Sequence, residues 1–265
     1  MAHDVDPAAT NGSEVRREPV SSQLLPDREL LVVLPHGYEA APHQRYPVLY
    51  MQDGQNLFGD AASSLSSKGW KLDTTAAQLT LAGEMESVIL VGIPNQGEQR
   101  ATEYTPAYSE ERRAGGKAAF YGRMLVEEIK PLVDRTYRTR PGAFDTGLGG
   151  SSFGALVALH VGLRYPHFFG KLALLSLAVA WNGPVILQQI EELAAKPPLR
   201  IWLDAGTEEG EAILDGTRAV RDALIARGWV LGEELHFLEA SGAHHDEGAW
   251  AERSRLFLPY LFPPR

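Results

Sequence analysis

Gly150-Ser151-Ser152-Phe153-Gly154 carries the spacing G-x-S-x-G. The residues before it read as an apolar strand, Ala143–Leu148, and those after it as a helix, Phe153–Arg164. The central serine therefore stands at a sharp strand-to-helix turn, where the flanking positions must be small because two backbones approach each other. Such a turn lifts the Ser152 hydroxyl into the open and aims the next backbone N–H, that of Phe153, at the place where an oxyanion would form. The chemistry implied is nucleophilic attack on a carbonyl carbon. G-x-S-x-G alone arises easily in a chain with 26 glycines, and the strand-turn-helix context is what makes it specific. A dinucleotide-binding loop is the competing reading, since Gly147-x-Gly149 also closes a strand. It fails twice: the third glycine position is Ser152, and no acidic residue stands about 20 residues further on to meet a ribose.

A serine hydroxyl is a weak nucleophile until a base takes its proton, and that base needs an acid to orient it. Where an elbow of this kind tops a parallel sheet, the acid and then the histidine follow, each on a loop after a later strand. Five histidines come after Ser152. His160 falls inside the following helix, His167 follows the Tyr165-Pro166 stop, and His236 alternates with apolar neighbours in a strand; all three read as packing or surface residues. His244 and His245 lie in Ala240–Glu247, between the last strand and the last helix, the place expected of the base. No HExxH spacing surrounds them, and His245-x-Glu247 lacks the cysteines of a zinc deaminase, so no metal is expected. The acid belongs in the loop after Leu199–Ala205, where Glu208, Glu209 and Glu211 all stand. Any of these could instead cap the next helix, where negative charge is favourable.

The elements that must position these residues alternate along the chain. Apolar runs occur at Glu29–Leu34, Val48–Met51, Val88–Ile93, Ala143–Leu148, Leu172–Leu177, Leu199–Ala205 and Glu234–Glu239. Helical spacing fills Ala118–Tyr137, Phe153–Arg164, Val185–Ala195, Glu211–Arg227 and Glu247–Leu258, the last ending at Pro259. Alternation of this kind predicts an α/β fold with a mostly parallel sheet and helices on both faces. The first run precedes the alternation and is expected as an antiparallel edge. Leu57–Thr80 and Asn95–Lys117 lack regular pattern and are expected as long functional loops. Residues 1–23 show no apolar period and read as a disordered tail, leaving 24–265 as a single domain.

Composition narrows the functional classes. The 265 residues suffice for a large core without a staple, and the absence of cysteine removes disulfides, thiolate metal sites and a cysteine nucleophile. A formal net charge of −9 argues against nucleic-acid and anionic-membrane partners. No stretch approaches the roughly 18 consecutive apolar residues of a membrane span. The polar N-terminus lacks a signal-peptide core, so a cytoplasmic location is expected.

Several spaced stretches together resemble the enterochelin esterase and esterase D group of α/β-hydrolases. They are Tyr46–Phe58 with its Gln52-Asp53-Gly54-Gln55-Asn56 segment, Gly69-Trp70, Val91-Gly92-Ile93, Arg100 with Glu103-Tyr104-Thr105-Pro106, Tyr137-Arg138-Thr139, the elbow, and His245-Asp246-Glu247-Gly248-Ala249-Trp250. The likeness runs from about Arg28 to Phe262 and implies the α/β-hydrolase fold and a serine carboxylic-ester hydrolase. It implies Ser152 as nucleophile, His245 rather than His244 as base, and Glu209 as acid with Glu208 as second choice. It also implies the Gln55 backbone N–H as second oxyanion donor beside Phe153, a small-molecule ester as substrate, and no cofactor. Phe153 and Ala155 replace the Met and Gly common in that elbow, which could narrow the pocket or alter its packing. Arg100 and Glu103 are expected to pair with each other and fix their loop; Arg100 could alternatively hold an anionic substrate. The same triad would serve an acyltransferase, and the scaffold alone would serve a non-catalytic binding protein.

Overall fold

A computed structural model describes residues 14–59, 69–181 and 185–265. Among the described residues there are ten strands: β1 (Val15–Val20), β2 (Arg28–Val33), β3 (Val48–Gln52), β4 (Ile89–Ile93), β5 (Tyr108–Ser109), β6 (Ala114–Gly115), β7 (Thr146–Ser151), β8 (Lys171–Leu175), β9 (Arg200–Gly206) and β10 (Leu235–Ala240). Eight of them form one sheet in the order β1-β2-β4-β3-β7-β8-β9-β10, and β5 pairs with β6 in a small hairpin. β2 is antiparallel to both its neighbours, and every pairing from β4 across to β10 is parallel. The helices are α1 (Leu72–Leu81), α2 (Arg100–Tyr104), α3 (Ala118–Met124), α4 (Lys130–Thr136), α5 (Phe153–Arg164), α6 (Val185–Glu191), α7 (Glu211–Ala226) and α8 (Glu247–Leu261).

Side chains alternate across the sheet with the strand period of two. Val48 and Tyr50 of β3 join the core under α3 to α7, while Leu49 and Met51 join the core under α1 and α8. Every residue of β3, β4, β7 and β8 is buried, which is why β3, β4 and β8 read as largely apolar runs; the run expected at Ala143–Leu148 instead begins with a 3₁₀ turn, Ala143–Asp145, leading into β7. The three glycines of β7 serve this two-sided packing. A Cβ on Gly147 would lie 2.9 Å from Leu49 Cδ1, and one on Gly149 would lie 2.7 Å from Ala173 Cβ and 2.8 Å from Met51 Sδ. The Gly147-x-Gly149 pair is thus a place where neighbouring strands close over the backbone. Parallel pairing also sends the ends of β3, β7, β8, β9 and β10 to one edge of the sheet, the edge where α/β proteins place their ligands.

Four further sequence expectations need correction. The expected tail is partly strand: β1 forms the true sheet edge, so β2 is internal. Its ladder runs from Val15 opposite Val33 to Val20 opposite Arg28. Charged side chains and Pro19 suit an outer edge, where one side of the backbone needs no ladder partner. Arg17 pairs with Glu29, and Tyr137 donates to Glu18 across 2.6 Å. Residues 1–13 lie outside the described residues. Second, the stretch expected to be a long loop contains α1, whose Leu72, Ala76 and Leu79 form a buried stripe at helical spacing; residues 60–68 lie outside the described residues. Third, α8 passes through Pro259 to Leu261. The carbonyl that loses its donor belongs to exposed Arg255, while Phe257, Leu258 and Leu261 keep the last turns packed. Fourth, the helix expected over Ala118–Tyr137 widens into a π segment at Leu125–Ile129, next to Pro131, which has no N–H for the carbonyl of Glu127. Among the described residues no helix is long and apolar enough to cross a membrane.

One buried histidine ties α5 to α6 and makes stability depend on pH. His160 Nδ1 lies 2.6 Å from Gln189 Oε1, so that nitrogen carries the proton, and the buried Nε2 has no partner among the described residues. Burial pushes the imidazole down to about 4, with the Gln189 hydrogen bond opposing the shift. Unfolded histidine takes up a proton below about 6.5 and the folded protein refuses it until about 4. The group therefore stabilises fully above about 6.5 and loses its contribution as pH falls toward 4, on the order of 3 kcal/mol in all. Urea unfolding of wild type and His160→Gln at stepped pH should show the wild-type advantage shrinking across that window; a constant difference would remove His160 as the cause.

Candidate active site

Ser152 sits between β7 and α5 with φ 57 and ψ −119, a region that non-glycine residues rarely occupy. Its backbone is held there from the neighbouring strand end: the Ser152 N–H donates to the Leu175 carbonyl (2.9 Å), and its carbonyl accepts from the N–H groups of Leu156 (3.1 Å) and Ala178 (3.4 Å). The flanking glycines answer to the close approach expected of them. A Cβ on Gly150 would be 2.9 Å, and one on Gly154 3.0 Å, from the Gln52 Cβ at the end of β3. The elbow is therefore pressed against the loop that carries Gln55. The Phe153 N–H opens α5, so it has no partner within the helix.

Gln55 lies in a 3₁₀ turn, Gly54–Asn56, entered through Asp53 in the left-handed conformation (φ 57, ψ 44). Gly54 is packed so closely on β4 that a Cβ would stand 2.5 Å from Gly92 C and 2.6 Å from Ile93 N. Asp53 is clamped by Arg100 through Nε (2.7 Å) and Nη2 (2.8 Å) and by Asn95 Nδ2 (2.7 Å). Asn95 also donates its backbone N–H to Gln55 Oε1 at 3.1 Å. The Arg100 guanidinium lies 5.4 Å from the ring centroids of both Phe153 and Tyr104. The sequence expectation that Arg100 pairs with Glu103 is wrong: Glu103 is buried against Arg28 instead, at 3.2 Å. One turn of α2 separates the two residues, but Arg100 reaches the β3 loop while Glu103 turns into the core.

Glu209 follows β9 and His245 follows β10, and the structure brings them together: His245 Nδ1 is 3.0 Å from Glu209 Oε2. A carboxylate only accepts, so Nδ1 bears the proton and Nε2 is left as an acceptor. The two loops are joined by backbone. The Thr207 N–H donates to the Ala240 carbonyl (3.0 Å), that of Glu208 to Ala243 (3.1 Å), and the Gly242 N–H to Thr207 Oγ1 (2.8 Å). Glu208 and His244 are both exposed, whereas the Glu209 side chain has no solvent exposure. Glu209 Oε1 accepts from Ser176 Oγ (2.6 Å), the Gly206 N–H (2.8 Å) and Arg253 Nη2 (3.2 Å). Burial pushes this carboxyl up, but the hydrogen bonds from His245, Ser176 and Gly206 and the Arg253 charge outweigh it and hold it below the ordinary carboxylate value. Asn56 Nδ2 reaches Glu247 Oε1 at 3.4 Å, linking the β3 loop to the start of α8, one residue past the Asp246 cap.

Sequence reasoning passed over Ser176 and Arg253, and assigned no role to Trp70, Trp181, Tyr104 and Trp250. All four aromatics are buried: Trp70 packs on Trp250, Trp181 meets Phe153 edge to face at 4.9 Å, and Tyr104 packs on Tyr121. Phe153 thus uses its extra bulk on Trp181, and Ala155 is fully buried in the core. The spacing of Trp250 and Arg253 on one face of α8 was the available signal for that helix; nothing local marked Ser176. Among the described residues no three His, Asp or Glu side chains are grouped so as to hold a metal ion.

The geometry separates each pair of sequence neighbours. Glu209→Ala should lower kcat by roughly 10⁴, the scale seen when triad acids are lost, while Glu208→Ala stays within a few fold of wild type. His245→Ala should be inactive and His244→Ala near wild type. Four variants assayed on one activated ester, with folding checked by circular dichroism, decide the matter; an inactive Glu208→Ala or His244→Ala would overturn the assignment at that position.

Comparison with known proteins agrees with this architecture. Residues 21–253 match the family described as "Putative esterase". The uncharacterized protein YjcH of Bacillus subtilis (strain 168) is 27% identical over 222 residues, covering 81% of this chain and 84% of its own length. Ferri-bacillibactin esterase BesA of the same organism is 27% identical over 234 residues, covering 77% of this chain and 75% of its own. Among solved structures, the BES protein of Bacillus cereus superposes with a TM-score of 0.75 at 20% identity, covering 94% of both chains. The enterobactin esterase FES of Shigella flexneri superposes with a TM-score of 0.72 at 20% identity, over 93% of this chain and 59% of its own. The elbow and the ordered strand ends stand on an α/β-hydrolase fold, and with the family match over most of its length the chain belongs to the esterase family, whose chemistry is carboxylic-ester hydrolysis.

Proposed function

We propose that this esterase hydrolyses small-molecule carboxylic esters through an acyl-enzyme on Ser152, with His245 as base and Glu209 as acid. The observation that carries the reading is the 3.0 Å contact between His245 Nδ1 and a buried, ionised Glu209, on the loops that follow β10 and β9 at the same sheet edge as the elbow. Ser152 Oγ attacks the ester carbonyl carbon while its proton passes to His245 Nε2. The carbonyl oxygen becomes an oxyanion and takes hydrogen bonds from the N–H groups of Phe153 and Gln55, one such donor contributing on the order of 10²–10³ in rate. Collapse re-forms the carbonyl and breaks the bond to the alkoxide, which receives the proton from His245 and leaves as the alcohol. Water then attacks the acyl-enzyme, gives its proton to the same imidazole, and the acid departs as Ser152 recovers its own. Glu209 stabilises the imidazolium in both steps without taking its proton. No cofactor enters this cycle.

BesA carries the name of a siderophore esterase, and another relative is an endo-1,4-beta-xylanase/feruloyl esterase of Xylanibacter ruminicola, so bulky acyl or alcohol groups belong in the substrate panel. Ser152→Ala should lose about 10⁶ in kcat on every ester cleaved by wild type. Intact-mass measurement should show one acyl group added to wild type and none to Ser152→Ala. A folded variant that keeps more than a few per cent of the activity would overturn the nucleophile. Product partition with an added alcohol should still favour the free acid; dominant alcoholysis would reassign the enzyme to acyl transfer.

A further inference from the structure

Ser176 stands one residue past the end of β8, fully buried and with φ 53. Its N–H donates to the Asp204 carbonyl at 2.8 Å, which pins it to β9. A glycine would adopt this backbone without strain but could supply no hydroxyl. The hydroxyl has three neighbours: Glu209 Oε1 at 2.6 Å, Trp250 Nε1 at 2.7 Å and Arg253 Nη2 at 2.8 Å. Indole and guanidinium nitrogens only donate, so the Ser176 oxygen accepts from both. Its single proton then has one acceptor among these neighbours, Glu209 Oε1. The direction of the hydrogen bond is set by its surroundings and does not depend on a rotor choice.

The consequence falls on the other carboxylate oxygen. Glu209 Oε1 is filled by donors from Ser176, Gly206 and Arg253, while Oε2 receives His245 Nδ1. Trp250 and Arg253 come from one face of α8, the helix that begins two residues after His245, and Trp250 also meets the His245 ring edge to face at 5.0 Å. Behind Arg253 stands buried Asp204, 3.0 Å from Nε, in an ion pair not aligned as a hydrogen bond.

We propose that Ser176 is a positioning residue of the hydrolytic reaction: its hydroxyl, oriented by Trp250 and Arg253, holds Glu209 so that Oε2 meets His245, and it acts on catalysis only through Glu209. The proposal rests on the Ser152, His245 and Glu209 reading above. Being fully buried, Ser176 touches no substrate. Its loss therefore belongs in kcat and not in KM.

Ser176→Ala removes the hydroxyl, and Ser176→Gly removes it while relieving the positive φ, so the second variant stands in if the first folds poorly. Each should lower kcat about 10- to 100-fold, the rate equivalent of one hydrogen bond to a charged group, with KM within about twofold of wild type. The deciding comparison is made without the acid. In a Glu209→Ala background, adding Ser176→Ala should change kcat by less than about twofold, because the group through which Ser176 acts is gone. Two results would overturn the proposal: both Ser176 variants keeping wild-type kcat, or the second substitution costing its full factor again in the Glu209→Ala background, as a purely structural role would. Failure of the underlying reading shows itself separately, as activity retained by Ser152→Ala.

Discussion

The Glu209 side chain is shut off from solvent, and a carboxylate there keeps its charge only if hydrogen-bond donors take the place of water. Those donors come from the end of β9 (Gly206), the end of β8 (Ser176), the middle of α8 (Arg253) and the loop after β10 (His245). Three strand ends and a helix must therefore arrive at one point, and parallel pairing of β8, β9 and β10 delivers the strand ends to the same sheet edge. The contrast with Asp204 shows what the donors accomplish. Burial pushes that carboxyl up to about 6, although Arg253 and the Trp202 indole N–H (2.7 Å) oppose the shift. Arg253 lies between the two acids, but Glu209 has the fuller set of hydrogen bonds and stays ionised. In the proposed cycle, an imidazolium forming at His245 would meet a full negative charge.

On the other side of the elbow, the Gln55 turn is held by the same means at the sheet edge. Asp53 receives a two-pronged Arg100 and the Asn95 amide, and Arg100 in turn covers the Phe153 ring. Two-pronged guanidinium–carboxylate contacts constrain orientation as well as distance. One guanidinium thereby ties the loop carrying the Gln55 N–H to the residue carrying the Phe153 N–H. Asp53, Ser152 and Ser176 all have positive φ, and all three directly follow parallel strands. Strain at these positions is tolerated because the strands, the tight glycine contacts and the buried hydrogen bonds around them leave no relaxed alternative.

Much of the scaffold was legible because local chemistry dictated it. Buried strands show as largely apolar runs and the half-buried edge strand β10 as apolar alternation, so β3, β4, β8, β9 and β10 lie within a residue or two of their expected bounds. The helix after the elbow spans Phe153–Arg164 as expected. Where the sequence misled, the cause was non-local. β1 is an edge strand held by ladder bonds and ion pairs, so it has no apolar pattern to announce it. Leu72, Ala76 and Leu79 make a stripe too short to stand out from the irregular stretch around it. Arg100 and Glu103 stand at helical spacing for a pair, yet Asp53 and Arg28 each offer a better partner from elsewhere in the fold.

By itself, the sequence determined the alternating α/β order, the strained serine turn and the loops on which an acid and a histidine had to stand. It could do so because glycine spacing, apolar periodicity and chain order act over a few residues at a time. Only the tertiary structure decided that Glu209 is enclosed while Glu208 is exposed, that Arg100 serves Asp53, and that Ser176, Trp250 and Arg253 meet behind the acid. Those contacts join residues 33 to 77 positions apart, and local propensity carries no information about which of several acids or bases a fold will enclose.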